Sequence, residues 1–196
     1  VVRRGARAFK WLPAAMGMDP ASARCEAFYR ALAAHRLPLI VHCGEEKAVR
    51  GGHTEHLGNP LRLRRALDAG VRVVVDQGEH GPRRASFELL LRLFAEAQAD
   101  GKLYGDISAI TQCNRNVAVI RTLLERDDLH DRLLQGSDYP LPGVLPLTWP
   151  SALARNGLLP ADAVPDLCSL REHNPLLFDF TLKRLLSWQG RAFPVA

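Results

Sequence analysis

Nothing in this 196-residue sequence approaches the roughly 18–20 consecutive apolar residues that a membrane helix needs. Its first stretch, VVRRGARAFKWLPAAMGM, is broken by Lys10 and Pro13 where a secretory signal would be apolar. The four cysteines, Cys25, Cys43, Cys113 and Cys168, stand far apart and form no C-x-x-C pair. A chain of this length needs no disulfide staples, so reduced thiols and a cytoplasmic setting are expected. A basic run with interleaved aromatics is also missing. The net charge of +5 comes from arginines standing singly or in pairs, such as Arg64 and Arg65, which reads as a solvated surface and not as a nucleic-acid face. No G-x-G-x-x-G or P-loop follows any apolar run, which argues against an open nucleotide-binding sheet.

What is present is the make-up of an ordinary globular domain, 47% hydrophobic and 24% charged, enough to bury one core. Short apolar runs alternate with segments of helical spacing, the pattern of βαβ units and a parallel sheet. The expected strands are Ala6 to Leu12, Leu39 to His42, Val71 to Val75, Leu103 to Ile107 and Arg132 to Gln135. The expected helices are Ala23 to His35, Pro60 to Ala69, Arg84 to Ala99, Val117 to Glu125, Ala161 to Glu172 and Pro175 to Trp188. The Pro-rich stretch PLPGVLPLTWP argues against regular structure. The fold class is therefore α/β, and with no linker in sight residues 1–196 read as one domain.

In a parallel barrel the reactive groups lie at the C-terminal strand ends, which open into the βα loops. That rule selects His42 after the second strand, Asp106 and Ser108 after the fourth, and Ser137 and Asp138 after the fifth, with Lys10 of the first strand pointing to the same interior. His42 suits a metal ligand; a buried histidine bonded to a carbonyl is the structural alternative. Asp138 lies between Gly136 and Pro140 in a sharp turn, where a turn aspartate is the alternative. His53 and His56 sit three apart in a glycine-rich loop, spaced for substrate contact over the mouth more than for a self-contained zinc site. Glu45 and Glu46 read as solvated, His80 as a loop residue, and His35, His130 and His173 as helix or cap histidines.

In order along the chain, RAFKWLP, LPLIVHCGE, VRVVV, LYGDISA, LLQGSDYPLPG and HNPLLFDF resemble the amidohydrolase-related family, and VHCG and GSDYP are the specific elements. This is the branch of the amidohydrolase superfamily that includes aminocarboxymuconate-semialdehyde decarboxylase and 2-pyrone-4,6-dicarboxylate hydrolase. The resemblance implies a metal-dependent hydrolase or a decarboxylase on a (β/α)8 TIM barrel. Its metal is held by an H-x-H pair after the first strand, a His after the fifth, often a His after the sixth, and an Asp after the eighth. His42 matches the fifth-strand position and Asp138 the eighth-strand one, where the family orients or deprotonates metal-bound water. The five strands here are then the fourth to the eighth, a partial barrel and the C-terminal portion of the fold.

The implied cofactor is a divalent metal, zinc, weakly held, with Lys10, His53, His56, Asp106 and Ser137 as substrate contacts. No H-x-H occurs, and VRVVV runs into DQGEHG without an adjacent histidine. The chain also opens at Val1 inside an apparent strand. The expectation is an upstream segment of about three βα units carrying the H-x-H, and relatives with a histidine inserted between Val75 and His80. Expected partners are a small-molecule substrate and a second copy pairing the open strand edges, with neither nucleic acid nor membrane. The competing expectation is an inert partial barrel or scaffold, because catalytic zinc sites normally offer three protein ligands or more.

Overall fold

The structure, a computed structural model, describes residues 5–44, 52–77, 85–97 and 101–194, the side chains of residues 52, 53 and 77 aside. The chain forms two compact units, Val1–Glu79 with Arg83–Asp106, and His80–Pro82 with Ile107–Ala196.

In the first unit, β1 (Phe9–Trp11), β2 (Leu39–Cys43), β3 (Val73–Gln77) and β4 (Leu103–Asp106) lie parallel and in chain order. The two-residue alternation of a strand divides them cleanly. Leu39, Val41, Val73, Val75 and Leu103 are fully buried on one face, with Cys43 beside them. Lys10, Ile40, His42, Val74, Asp76, Tyr104 and Asp106 have the opposite parity and are only half-buried or exposed. In a barrel that second face is the interior, and its upper end is where chemistry is done.

The helices explain the burial of the first face. In α2 (Glu26–Ala34) the inward residues are Tyr29 and Leu32, one turn apart, and the helix ends where Arg36 takes a left-handed conformation at φ 52°. In α4 (Ala85–Glu96), Phe87, Leu90, Leu93 and Phe94 recur at three- and four-residue intervals and are all buried. Between them α3 (Arg64–Asp68) follows a 3-10 stretch that opens at Pro60 with Asn59 as its cap. A single turn, α1 (Pro13–Met16), stands where a loop was expected after β1, closed by Gly17 at φ 62°.

In the second unit, α5 (Val117–Glu125) has the bounds expected from sequence and is capped by the Asn116 carboxamide oxygen, which accepts from the Ala118 N–H. The short β5 (Leu133–Leu134) is held by the N–H of Ile107, donated to the Leu134 carbonyl at 3.0 Å. The proline-rich stretch is not wholly irregular. It contains a 3-10 turn at Leu141–Gly143 and leads into α6 (Pro150–Arg155), whose proline sits in the first turn where its missing N–H costs nothing. Then come α7 (Val164–His173), α8 (Pro175–Leu185) and a small antiparallel hairpin of β6 (Ser187–Trp188) and β7 (Arg191–Ala192). The hairpin is fastened by Trp188, whose indole N–H donates to Glu125 and whose ring lies 4.1 Å under the Arg121 guanidinium. Neither α6 nor the hairpin was expected from sequence. Among the described residues no helix is long and apolar enough to cross a membrane.

Candidate active site

Parallel strands bring their C-terminal ends to one edge, and register decides which residues meet there. His42 is the partner of Asp76, and Asp76 of Asp106, so three polar residues of three adjacent strands share one level at that edge. Lys10 lies one level lower, opposite Ile40, but its long stem carries the ammonium up to Asp76, two strands away. Lys10 Nζ donates to Asp76 Oδ2 at 2.6 Å, and His42 Nδ1 faces the same oxygen at 3.4 Å. The side chains of His42 and Asp76 are 14% and 22% exposed, that of Lys10 43%.

The electrostatics follow from that shared oxygen. Burial pushes the Asp76 carboxyl up, but the hydrogen bonds from His42 and Lys10 and the nearby ammonium charge outweigh it and bring it down to about 2. Asp76 is therefore an anion throughout the neutral range and can only accept hydrogen bonds. A neutral His42 must then carry its hydrogen on Nδ1, which leaves Nε2 as the basic nitrogen. Cys43 takes no part. It points to the opposite face, and burial raises its thiol far above the ordinary range, so no thiolate is offered beside His42.

The loop after β2 returns to this edge. Gly44 donates its N–H to the Gly58 carbonyl at 3.0 Å, and a Cβ on Gly58 would sit 2.7 Å from the Gly44 oxygen, so glycine is required for so close an approach. Thr54 Oγ1 donates to the Ala14 carbonyl at 2.6 Å, tying the same 3-10 segment (Gly52–Gly58) to α1. His56 is exposed on this segment. The side chain of His53, and all of Glu45, Glu46 and His80, lie outside the described residues.

In the second unit the strand end after β5 carries Ser137 and Asp138. Asp138 is exposed and left-handed, at φ 55°, and its carbonyl accepts the Leu141 N–H at 3.0 Å. Ser137 Oγ accepts the Tyr139 N–H at 3.3 Å. Just before them, Lys183 Nζ donates to the Gly136 carbonyl at 2.7 Å and to Asp179 Oδ2 at 2.8 Å. His42 thus belongs to the first unit and Asp138 to the second.

Against this geometry stand the comparisons with known proteins. The family model described as Amidohydrolase matches residues 1–168. This chain belongs to the amidohydrolase family. Among solved structures it is similar to an uncharacterized TIM-barrel protein, Bb4693, from Bordetella bronchiseptica, with 18% sequence identity and a TM-score of 0.55 over 91% of this chain. The chain spans 60% of the length of that structure. The fold is accordingly α/β, a partial TIM barrel. No curated protein matches this amidohydrolase chain.

Amidohydrolases generally use divalent metals, so the donor set has to be weighed against one. Among the described residues no group of three or more His, Cys, Asp or Glu side chains gathers to hold a metal ion. The first unit offers His42, but the Asp76 oxygen beside it already carries the Lys10 ammonium, which a divalent ion at that oxygen would have to displace. The described residues by themselves do not make a metal centre.

Asp76, Asp179 and Lys183 were not singled out from sequence. The expected third strand ends at Val75; in the structure β3 runs on to Gln77 and Asp76 stands inside it, in line with His42. The signal available was parity, since Val74 and Asp76 share the polar face. Lys183 and Asp179 stand four apart on α8, a spacing equally suited to a solvated pair, and are buried.

Proposed function

We propose that this chain carries part of the centre of a hydrolase that adds water to the carbonyl carbon of a small molecule. The observation behind it is the single Asp76 carboxylate oxygen shared by Lys10 and His42 at the ends of neighbouring parallel strands. Asp76 fixes the tautomer and direction of His42, as an orienting carboxylate does for a catalytic base. His42 Nε2 takes a proton from water; the water oxygen bonds to the carbonyl carbon, whose π electrons move to the carbonyl oxygen. An ammonium has three N–H donors, and those of Lys10 not directed at Asp76 would meet that developing oxyanion. Collapse expels the leaving group, which takes the proton back from His42.

Asp138 is proposed as the second carboxylate acting on the water, with Ser137, Asp106, His53 and His56 as substrate contacts. Membership of the aminocarboxymuconate-semialdehyde decarboxylase-like branch rests on the sequence resemblance, and so does the alternative in which His42 and Asp138 would hold zinc and Asp138, not His42, would take the proton from water. Decarboxylation is the other outcome the same residues allow.

The test is turnover of a panel of carboxylic esters, lactones and amides by the wild-type chain, with carbon dioxide release measured in parallel. H42Q is expected to lower kcat by about 100-fold or more and D76N by a smaller factor, with K10M affecting both kcat and KM. D138N should lower kcat as well. Metal analysis is expected to find less than one equivalent of zinc. If no substrate turns over faster with wild type than with H42Q, the scaffold reading replaces this one.

A further inference from the structure

Helix α8 turns two charges inward along with its buried apolar residues Phe178 and Leu182. It buries Asp179 and Lys183, 3% and 1% exposed, while Leu176, Leu177 and Phe180 stand nearly half exposed on its outer side. Burying two ions removes them from water, and their mutual attraction alone rarely makes up the difference. An ion pair buried beside Phe178 and Leu182 therefore calls for a further partner on the inside.

That partner is the strand end that leads into Asp138. Lys183 Nζ, held by Asp179 Oδ2 at 2.8 Å, donates to the Gly136 carbonyl at 2.7 Å. The Gln135 carboxamide donates to the same Asp179 oxygen at 3.3 Å, so two consecutive residues of the strand end are gripped by one ion pair. The far side of the loop is fixed by the same helix. A Cβ on Gly143 would lie 3.0 Å from Pro175, the first residue of α8, so this segment too is seated on the helix. Between the two anchors Asp138 holds a left-handed backbone, which aspartate tolerates better than most side chains.

We propose that the buried Asp179–Lys183 pair is a positioning device: it clamps Gln135 and Gly136 so that the following loop presents Asp138 in one fixed turn. Lys183 touches neither water nor substrate in this role; it acts through the Gly136 carbonyl. The functional weight of Asp138 rests on the hydrolase reading above, whereas the clamp itself does not.

Amide hydrogen exchange on the full chain tests it. K183M keeps the volume and removes the donor, and D179L/K183M removes both charges, so that no lone buried carboxylate confuses the result. In both variants the amides of Tyr139 and Leu141, which close the loop around Asp138, should exchange at least tenfold faster. Those of Leu123 and Leu124 in α5 should stay within twofold of wild type. If the loop amides of D179L/K183M match wild type, or if loop and α5 amides accelerate alike, the clamp is overturned and the pair is merely part of the general fold. Where a substrate is turned over, K183M should lower kcat with KM unchanged. Faster loop exchange together with an unaffected D138N enzyme would support the clamp while removing Asp138 from the reaction.

Discussion

At the scale of single residues, two carboxylates are both held down to about 2, and burial separates what that means for the protein. Glu96 owes its shift first to the Arg64 hydrogen bond, with Arg92 adding to it, but it sits at the surface where salt screens such pairs. Asp76 is mostly buried, and among the described residues its partners are Lys10 and His42. Its folded carboxyl is depressed below the unfolded value, so its contribution is fully present above about pH 4 and is lost as pH falls toward 2. D76N is expected to lower stability at pH 7 by about 2 kcal/mol and to flatten the loss between pH 4 and 2, read by denaturant unfolding at several pH values. An acid limb in D76N as steep as in wild type would show that Asp76 gains nothing from Lys10 and His42. Asp76 also sets the tautomer of His42, so the residue that shapes stability in acid is the one on which the proposed chemistry at neutral pH rests.

At the scale of elements, the helices of the second unit give sharper tests than their sequence pattern would. Asn116 caps α5 through its side-chain oxygen, and N116A should cost about 1 kcal/mol, measured by thermal or denaturant unfolding. In α8, Phe178 is fully buried and Phe180, two residues on, is 49% exposed. F178A should cost about 3–5 kcal/mol, whereas F180S should stay within about 0.5 kcal/mol of wild type. Equal losses in the two would mean that Phe180 is covered and that α8 is turned differently. Beside Phe178 and Leu182, the inward positions of this helix hold the pair that grips Gly136.

For the molecule as a whole, the sheet of the first unit has one finished face and one unfinished one. Leu39, Val41, Val73, Val75 and Leu103 are sealed, while Ile40, Val74 and Tyr104 on the inner face are left half-buried among Lys10, His42, Asp76 and Asp106. Barrel interiors are normally packed by layers of side chains from alternate strands. Half-covered apolar rows and the outward leucines of α8 together favour self-association. Sedimentation of the 196-residue chain should show mass rising with concentration, with apolar-dye binding that falls as it associates. A compact monomer that binds no dye at any concentration would contradict this expectation.

Sequence by itself determined the features that local chemistry controls. Alternating apolar runs and amphipathic segments specified the order of strands and helices, and α5 falls on its expected bounds because its apolar spacing and its Asn cap are both local. Strand-end logic likewise placed His42 and Asp106 at the C-terminal edge of the sheet, where register puts them. Helix α6 and the final hairpin were missed because Pro150 and Gly190 look like breakers until a first helical turn and a tight turn give them a place. Only tertiary structure decided that β3 runs past its apolar run, since a strand continues as long as its neighbours offer hydrogen bonds, and that extension is what brings Asp76 beside His42. Only tertiary structure, too, decided that Lys183 is inside: four-residue spacing reads the same for a solvated pair and a buried one, and the difference is a carbonyl 47 residues away at Gly136.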